Sequence, residues 1–564
     1  MAIRWISHSL VGTCQLHALL VTVALCLLGV FVCFVVVPAA AEWIKTWLAL
    51  RPLPGPWDGV PFWFSAAAYW NKSREYSAKD AAVGFFSVIC ELCETYKGQT
   101  FKAYIGMLPI VVLHTPEAVE PLLSSKDNLA KPDLYNFIAA WLGPNNLLTS
   151  RGEPWRQKRK IFTAAFHARV LDSYMDVFDS NSEAFIQQIE QFMRSNPNEP
   201  FCCFKGLQKC FVDIMARVCM GVDLHTQEDK RNFFGNCFNR LSYLTAIRGC
   251  RPWLWMQQVY DMTKEGKVFK STVQKMQMFS YSVLRERKEW LLKNHSTNAK
   301  DINLKRDSTV TKCPSLFLDS LLANNIRDPA YSIEEIKNDV DSIIFAGTDS
   351  TASGVSWTIY LLGLHPSKLA KVHEELDRVL GLDKDGVIRS DDLLQLNYLE
   401  CCLKETLRLY PPFPLFGRKL EHDMVIDGYR LPEGLTCFVN LYSLHRDPRH
   451  FRQPDSFLPE RFLGEELAQR HPYSYIPFSA GPKNCPGQRF FMQEAKLLLA
   501  KVFSKFSVES TKPADEIKIT YEVVLKARGS LRVWFRTRNA ADAKQSPQNC
   551  TALPCRTRVP CSSR

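Results

Sequence analysis

The sequence predicts a mainly α-helical domain with a smaller β region, carried behind an N-terminal transmembrane helix. Three observations predict it. Apolar residues recur at helical spacing over 155–195, 265–295, 333–364 and 366–380. Shorter runs rich in β-formers, Thr100 to Val112 and Val523 to Phe535, flank them. Finally, Ala18 to Val37 is a run of twenty residues without a charge. At about 1.5 Å per residue it makes about 30 Å of helix, the thickness of a bilayer's hydrocarbon core.

The span comes first. A cleaved signal peptide competes with it, because Ala39-Ala40-Ala41 resembles a small-residue cleavage site. Signal h-regions run to about 7–15 residues, shorter than this one, so the segment is read as an uncleaved anchor. Trp43 and Trp47 then stand where an aromatic belt would sit. Arg4 alone precedes the span, whereas Lys45 and Arg51 follow it closely, which favours a cytosolic C-terminal side. The anchor region is thus 1–50. Residues 51–61, RPLPGPWDGVP, cannot continue a helix and make a stiff hinge. A single large domain, 62–538, follows without a linker, interrupted by a polar loop from Asn294 to Cys313. Beyond 538 the chain lacks an apolar period, so 539–564 reads as a loose tail.

Composition narrows the class. Of 564 residues, 46% are hydrophobic and 23% charged, which excludes wholesale disorder. The formal charge is +12, with no basic stripe concentrated enough for a nucleic-acid partner. Nineteen scattered cysteines are too few and too irregular for a disulfide scaffold, so they read as reduced thiols.

One cysteine stands apart. FSAGPKNCPGQRF, Phe478 to Phe490, sets Cys485 in a loop bracketed by glycine and proline, with helical pattern resuming at Phe490. A helix N-terminus there favours a thiolate, and free backbone N–H groups could bond the sulfur. A phosphate cradle fails on glycine spacing, and zinc fails for want of a second Cys or His pair. A buried structural thiol is the plain alternative, and is the reading given to the other eighteen.

This segment resembles the haem-ligand loop of the cytochromes P-450, F-x-x-G-x-R-x-C-x-G, at Phe478, Gly481, Cys485 and Gly487. The resemblance covers roughly residues 52 to 538. It implies the cytochrome P-450 fold, haem b held non-covalently, and Cys485 as the axial ligand of the iron, whose electron push favours O–O cleavage. Lys483 stands where the family usually has Arg. It keeps a charge for a haem propionate but loses the planar fork.

Further motifs follow in the family's order. Glu405 and Arg408 of KETLRLYPP are neighbours on one helical face, alone no more than a surface pair. The resemblance implies that they join Arg461 of PERF in a buried structural clamp. Trp155 and Arg159 of WRQKRK, alone a cation–aromatic pair, are implied to reach the haem propionates together with Arg418.

The stretch Asp339 to Trp357 is helical with unusual contents. Gly347 costs about 1 kcal/mol against Ala in a helix interior. Asp349, Ser350 and Thr351 compete for backbone hydrogen bonds. By resemblance, Ala346 and Gly347 open the groove over the iron. Asp349 and Ser350, with Thr351 next to them, form the acid–alcohol site that delivers protons. Ser350 stands where Thr is usual and lacks the methyl that stiffens its rotamer.

WLGPNNLLTSRGEPWRQKRK, AAFHARVL and VDSIIFAGTDSTASG further resemble the microsomal family-4, fatty-acid ω-hydroxylase-like branch. That branch often carries Glu at the position of Ala346, where it can become esterified to haem. Alanine cannot, which leaves terminal-carbon selectivity open.

The resemblance therefore implies a membrane-anchored monooxygenase of the endoplasmic reticulum, single-pass with a cytosolic domain. It would insert one oxygen atom of O2 into a lipophilic substrate. A fatty acid or related lipid leads, with terpenoid, steroid and xenobiotic open. Electrons would come from NADPH through cytochrome P-450 reductase, with cytochrome b5 a second candidate donor, since this chain shows no flavin or nicotinamide fingerprint. A haem-thiolate isomerase or dehydratase of lipid peroxides and a haem sensor are the rivals; Asp349-Ser350 and the lack of a signalling domain argue against them. Cys90-x-x-Cys93 has no matching second pair and reads as core. Sequons at Asn71, Asn294 and Asn549 would be silent in the cytosol.

Overall fold

A computed structural model describes residues 37–56, 81–229, 232–294, 316–327, 331–381, 387–464 and 469–538. The expected span Ala18 to Val37, the sequon at Asn71, most of the Asn294–Cys313 loop and the 539–564 tail lie outside them, apart from Val37 and Asn294 themselves. Among the described residues no helix is long and apolar enough to cross a membrane.

Helices dominate. The expected 155–195 segment resolves into Gly152–Ala165 and Met175–Ser195, separated by short turns around Asp172. The expected 265–295, 333–364 and 366–380 segments appear as Lys264–Asn294, Ile333–Leu364 and Pro366–Leu380. Local chemistry explains the boundaries of the long helix Ile333–Leu364. Ser332 Oγ accepts from the Glu335 N–H at 3.1 Å while the Glu335 carboxylate accepts from the Ser332 N–H at 3.2 Å. This reciprocal cap satisfies two otherwise orphaned donors. At the other end Pro366 cannot donate back into the helix and opens the next one instead.

The long helix runs through the protein's centre, and Val340, Ile344, Ala352, Val355, Trp357, Ile359 and Tyr360 are all buried on it. Cys203–Met220 packs along it on one side, and Gln488–Lys505 and Asn397–Leu409 pack on others. Trp357 stacks flat on Tyr410, ring centroids 3.8 Å apart.

The smaller β region is a four-stranded sheet in the order Phe101–Ile105, Leu108–Leu113, Thr436–Asn440, Leu415–Lys419, with the middle pair parallel and the outer pairs antiparallel. Elsewhere Ile519–Glu522 and Val524–Ala527 form a tight hairpin, and Phe201–Cys202, Arg532–Thr537 and Phe506–Ser510 a small sheet. Both β-rich runs expected from sequence therefore contain strands, each broken by a turn.

Candidate active site

A cavity of about 420 Å3 opens beside the middle of the long helix. Its floor is the loop after Pro477, whose shape follows from two backbone details. The Cys485 N–H donates to Phe478 O at 2.9 Å, closing the loop on itself. Gly481 sits at φ +72°, and a Cβ there would come within 1.8 Å of Leu123 O, so only glycine fits. The helix Gln488–Lys505 starts immediately afterwards. Cys485 lines the cavity. Burial raises its thiol above the ordinary value, while the Gly487 N–H and the Arg159 guanidinium work in the opposite direction by favouring the thiolate.

The roof is the long helix. Ala346, Gly347, Ser350 and Thr351 all line the cavity, and the Ala346 methyl is exposed to it. Gly347 packs closely on Met215, whose Sδ lies 2.5 Å from where a Cβ would stand, so any larger residue there would displace the Met215 side chain. Ser350 Oγ donates to Ala346 O, one turn back, at 2.6 Å. Asp349 does not line the cavity. Its Oδ1 accepts from Gln208 Nε2 at 2.6 Å, and Oδ2 pairs with Lys526 Nζ at 3.2 Å on the other side of the helix.

Of the remaining candidates, Trp155, Arg159, Phe478 and Lys483 line the cavity. Arg159 holds the loop directly, donating to Asn484 O and Oδ1, both at 2.5 Å. Lys483 Nζ donates to Leu129 O and Ser150 O at 3.2 and 3.0 Å, and lies 5.4 Å from the Trp155 ring centre. Arg418 is buried just behind the wall, and Gly481 lies beneath the floor. Glu405, Arg408 and Arg461 are removed from the cavity and form one buried cluster.

Lys131 gives no signal in the sequence, yet it is buried and lines the same cavity. Burial drives its ammonium well below the ordinary value, and Arg418 and Lys483 add to the effect. Burial, reinforced by Arg418, likewise brings Lys483 down to about 7. Among the described residues no carboxylate lies within ion-pair distance of Lys131, Arg418 or Lys483, and no Asp or Glu lines the cavity. Three crowded basic side chains, with no carboxylate in ion-pair contact and only Glu421 acting on Lys483 from a distance, beside a thiol on an apolar floor fit an anionic, thiolate-ligated group whose charge would keep them protonated. Haem, with its two propionates, is such a group.

The rest of the cavity wall comes from segments far apart in sequence: Tyr135, Phe137 and Ile138; Thr245 and Ala246; Phe413 and Phe416; and Val523.

Comparison with known proteins bears on the same region. The family model described as Cytochrome P450 matches residues 77–531. The chain is 34% identical to cytochrome P450 4V2 of Homo sapiens, over 92% of this chain and 96% of the relative. It is also 34% identical to cytochrome P450 4c3 of Drosophila melanogaster, over 78% of this chain and 82% of the relative. Among solved structures, the cytochrome P450DA heme domain aligns with a TM-score of 0.68 at 20% identity, covering 82% of this chain and 94% of that one. That likeness concerns the fold.

Proposed function

For a chain that belongs to the cytochrome P450 family, and to its family-4 branch, we propose a membrane-bound monooxygenase that hydroxylates a fatty acid or related lipid with electrons from NADPH. One observation carries the reading: Cys485 and the Ala346–Ser350 turn line one apolar cavity, with crowded basic side chains at its edge.

Cys485 would ligate the iron, and Lys131, Arg159, Arg418 and Lys483 would face the propionates. Bound haem would supply the oxygen activation that no side chain can perform. The residues here do the rest. Phe137, Ile138, Leu142, Phe413 and Val523 exclude water and hold a lipophilic chain against the roof. Ser350 lines the cavity with a hydroxyl that can rotate off Ala346 O towards a ligand, and Asp349 is the neighbouring acid.

Electrons would arrive from a separate reductase at the face carrying Arg156, Lys160 and Arg489. All three are exposed; Arg489 directly follows the Cys485 loop, and Arg156 and Lys160 flank Arg159, which bonds that loop, so the set suits an acidic partner. Membrane attachment is supported by exposed apolar groups outside the core. Ile44, Leu48, Met107, Trp253, Met256 and Met262 are all solvent-facing. The Trp43 indole donates to Met107 O at 2.8 Å, and Pro252 abuts Gly106, which brings these segments together.

The test is spectroscopic. The reduced carbon-monoxide complex should show the thiolate-type absorption of the family, and Cys485→Ser should abolish it. A band that persists in the variant would remove Cys485 as ligand.

A further inference from the structure

Among the described residues no acid lines the main cavity. A second cavity, about 360 Å3, lies behind the long helix and is lined by polar and charged groups, among them Asn239, Ser353, Thr520, Glu522 and Lys526. A polar space of that size holds water.

The hairpin Ile519–Ala527 separates the two cavities. Strand alternation sends its residues to opposite sides. Tyr521 and Val523 line the main cavity, whereas Thr520, Glu522 and Lys526 line the rear one. Val523 forms the tip at φ +66°, a conformation that a β-branched residue rarely adopts and that marks stored strain. The hairpin is anchored to both walls. Leu525 N–H donates to Pro412 O at 2.8 Å, and Ser353 Oγ of the long helix donates to Leu525 O at 2.6 Å.

Lys526 and Asn239 stand between the rear cavity and Asp349. Lys526 Nζ donates to Asn239 Oδ1 at 2.8 Å and pairs with Asp349 Oδ2 at 3.2 Å. Gln208 completes the cage, donating to Asp349 and accepting from Asn239 Nδ2 at 3.0 Å. Glu522 lies within electrostatic reach of both Lys526 and Asp349, and burial raises its carboxyl above the ordinary range, so it can hold a proton.

We propose that this hairpin couples substrate occupancy to proton supply: contact at Val523 shifts Lys526 on the opposite face and frees Asp349 to pass a proton from the rear cavity towards Ser350. The inference rests on the monooxygenase reading and adds regulation to the same site. Its balance is simple. Once freed, Asp349 first takes one proton from rear-cavity water by way of Glu522 and then gives one to water at Ser350, so it undergoes no net change and no electron moves along this path. Val523 and Lys526 are positioning residues in this scheme.

The test uses the haem-loaded full chain with reductase and dodecanoic acid as probe. The ratio of hydroxylated product to released peroxide depends on proton arrival after oxygen binds. It should fall about fivefold in Val523→Gly, which loses the contact, recover to within about twofold of the wild type when Lys526→Met is added, since Asp349 is then free without that contact, and stay within about twofold in Lys526→Arg. Independently of turnover, dodecanoate should slow amide exchange over 519–527 in the ferric wild type, and that protection should vanish in Val523→Gly. An unchanged ratio in Val523→Gly, no recovery in Val523→Gly with Lys526→Met, or hairpin exchange indifferent to dodecanoate at spectral saturation, overturns the coupling. A wild type that neither binds dodecanoate nor turns over removes the monooxygenase reading as well.

Discussion

Glu405 and Arg408, three residues apart on the helix Asn397–Leu409, meet in two hydrogen bonds of 2.7 and 2.8 Å with both side chains fully buried. Arg461 adds a third contact to the same carboxylate at 3.2 Å. The Arg408 guanidinium then donates to His445 O, Pro454 O and Ser456 O, so one cation fixes the backbone from 445 to 456. Beside it, burial and the charges of Arg408 and Arg446 push His445 down to about 3, leaving its ring neutral to accept from the Ile476 N–H at 3.0 Å. The Cys485 loop begins two residues later, at Phe478, so this cluster is its foundation.

Removing one member should therefore be expensive. Glu405→Gln leaves two buried guanidinium groups without their anion and should cost about 3–5 kcal/mol of stability. Arg408→Lys should be nearly as damaging, because an ammonium cannot reach two carboxylate oxygens and three carbonyls at once. Urea unfolding of each variant checks this. A loss below about 1 kcal/mol, the range of an exposed pair, would show that the cluster is not the foundation of the loop.

Ser350 tests the role of the hydroxyl on the cavity roof. It rests on its own helix, bonded to Ala346 O, and must rotate away to face a ligand. A serine does so among several rotamers, whereas threonine's second heavy atom narrows the choice. Ser350→Ala should lower product per NADPH about threefold, and Ser350→Thr should raise it. Product, peroxide and NADPH measured together decide it. Equal coupling in all three proteins would take Ser350 out of proton delivery.

Much of this site was legible locally, because its determinants are short-range. The Cys485 loop and the Ser350 turn carry their glycines and hydroxyls within a dozen residues of chain, and Glu405–Arg408 follows from helical spacing. What escaped was set by distant partners. Lys131 becomes special only because the fold brings Arg418 and Lys483 beside it. Asp349 and Ser350 look like one unit in sequence, yet successive helical residues point about 100° apart. One faces the cavity and the other faces Gln208 and Lys526, residues 141 and 177 positions away. No local pattern announces either partner.

Glu494 offers a test by pH. It is fully buried on the helix that follows the Cys485 loop, and neither carboxyl oxygen has a hydrogen-bond partner among the described residues. Burial raises its pKa well above the ordinary 4.5. The folded state then binds more protons than the unfolded state once pH exceeds the ordinary value, so stability falls as pH rises from there. Glu494→Gln cannot ionise and should be more stable than the wild type at about pH 8, with the gap narrowing towards about pH 4.5. Denaturant titrations at the two pH values check the sign. A gap independent of pH would mean that Glu494 finds a cation in solution.

Ala346 tests the attachment of the cofactor. An ester to haem needs a carboxylate against the porphyrin edge. At this position the chain offers one methyl group, exposed to the cavity, and no Asp or Glu elsewhere among the described residues lines that cavity. Haem should therefore separate completely from the polypeptide in acidic organic solvent. Ala346→Glu places a carboxyl on the roof one turn before Ser350, where its neighbours are apolar and the nearest cations are those at the cavity edge. After turnover a fraction of the haem should resist extraction, read as haem absorbance that stays with the protein on reversed-phase chromatography. The same variant should move hydroxylation of dodecanoic acid towards its terminal carbon, because a tethered group and a bulkier roof leave the chain end less room to fold back. Acid-resistant haem in the unmodified protein would mean that a carboxylate outside this cavity wall reaches the porphyrin. In that case the roof could not be the Ala346–Ser350 turn.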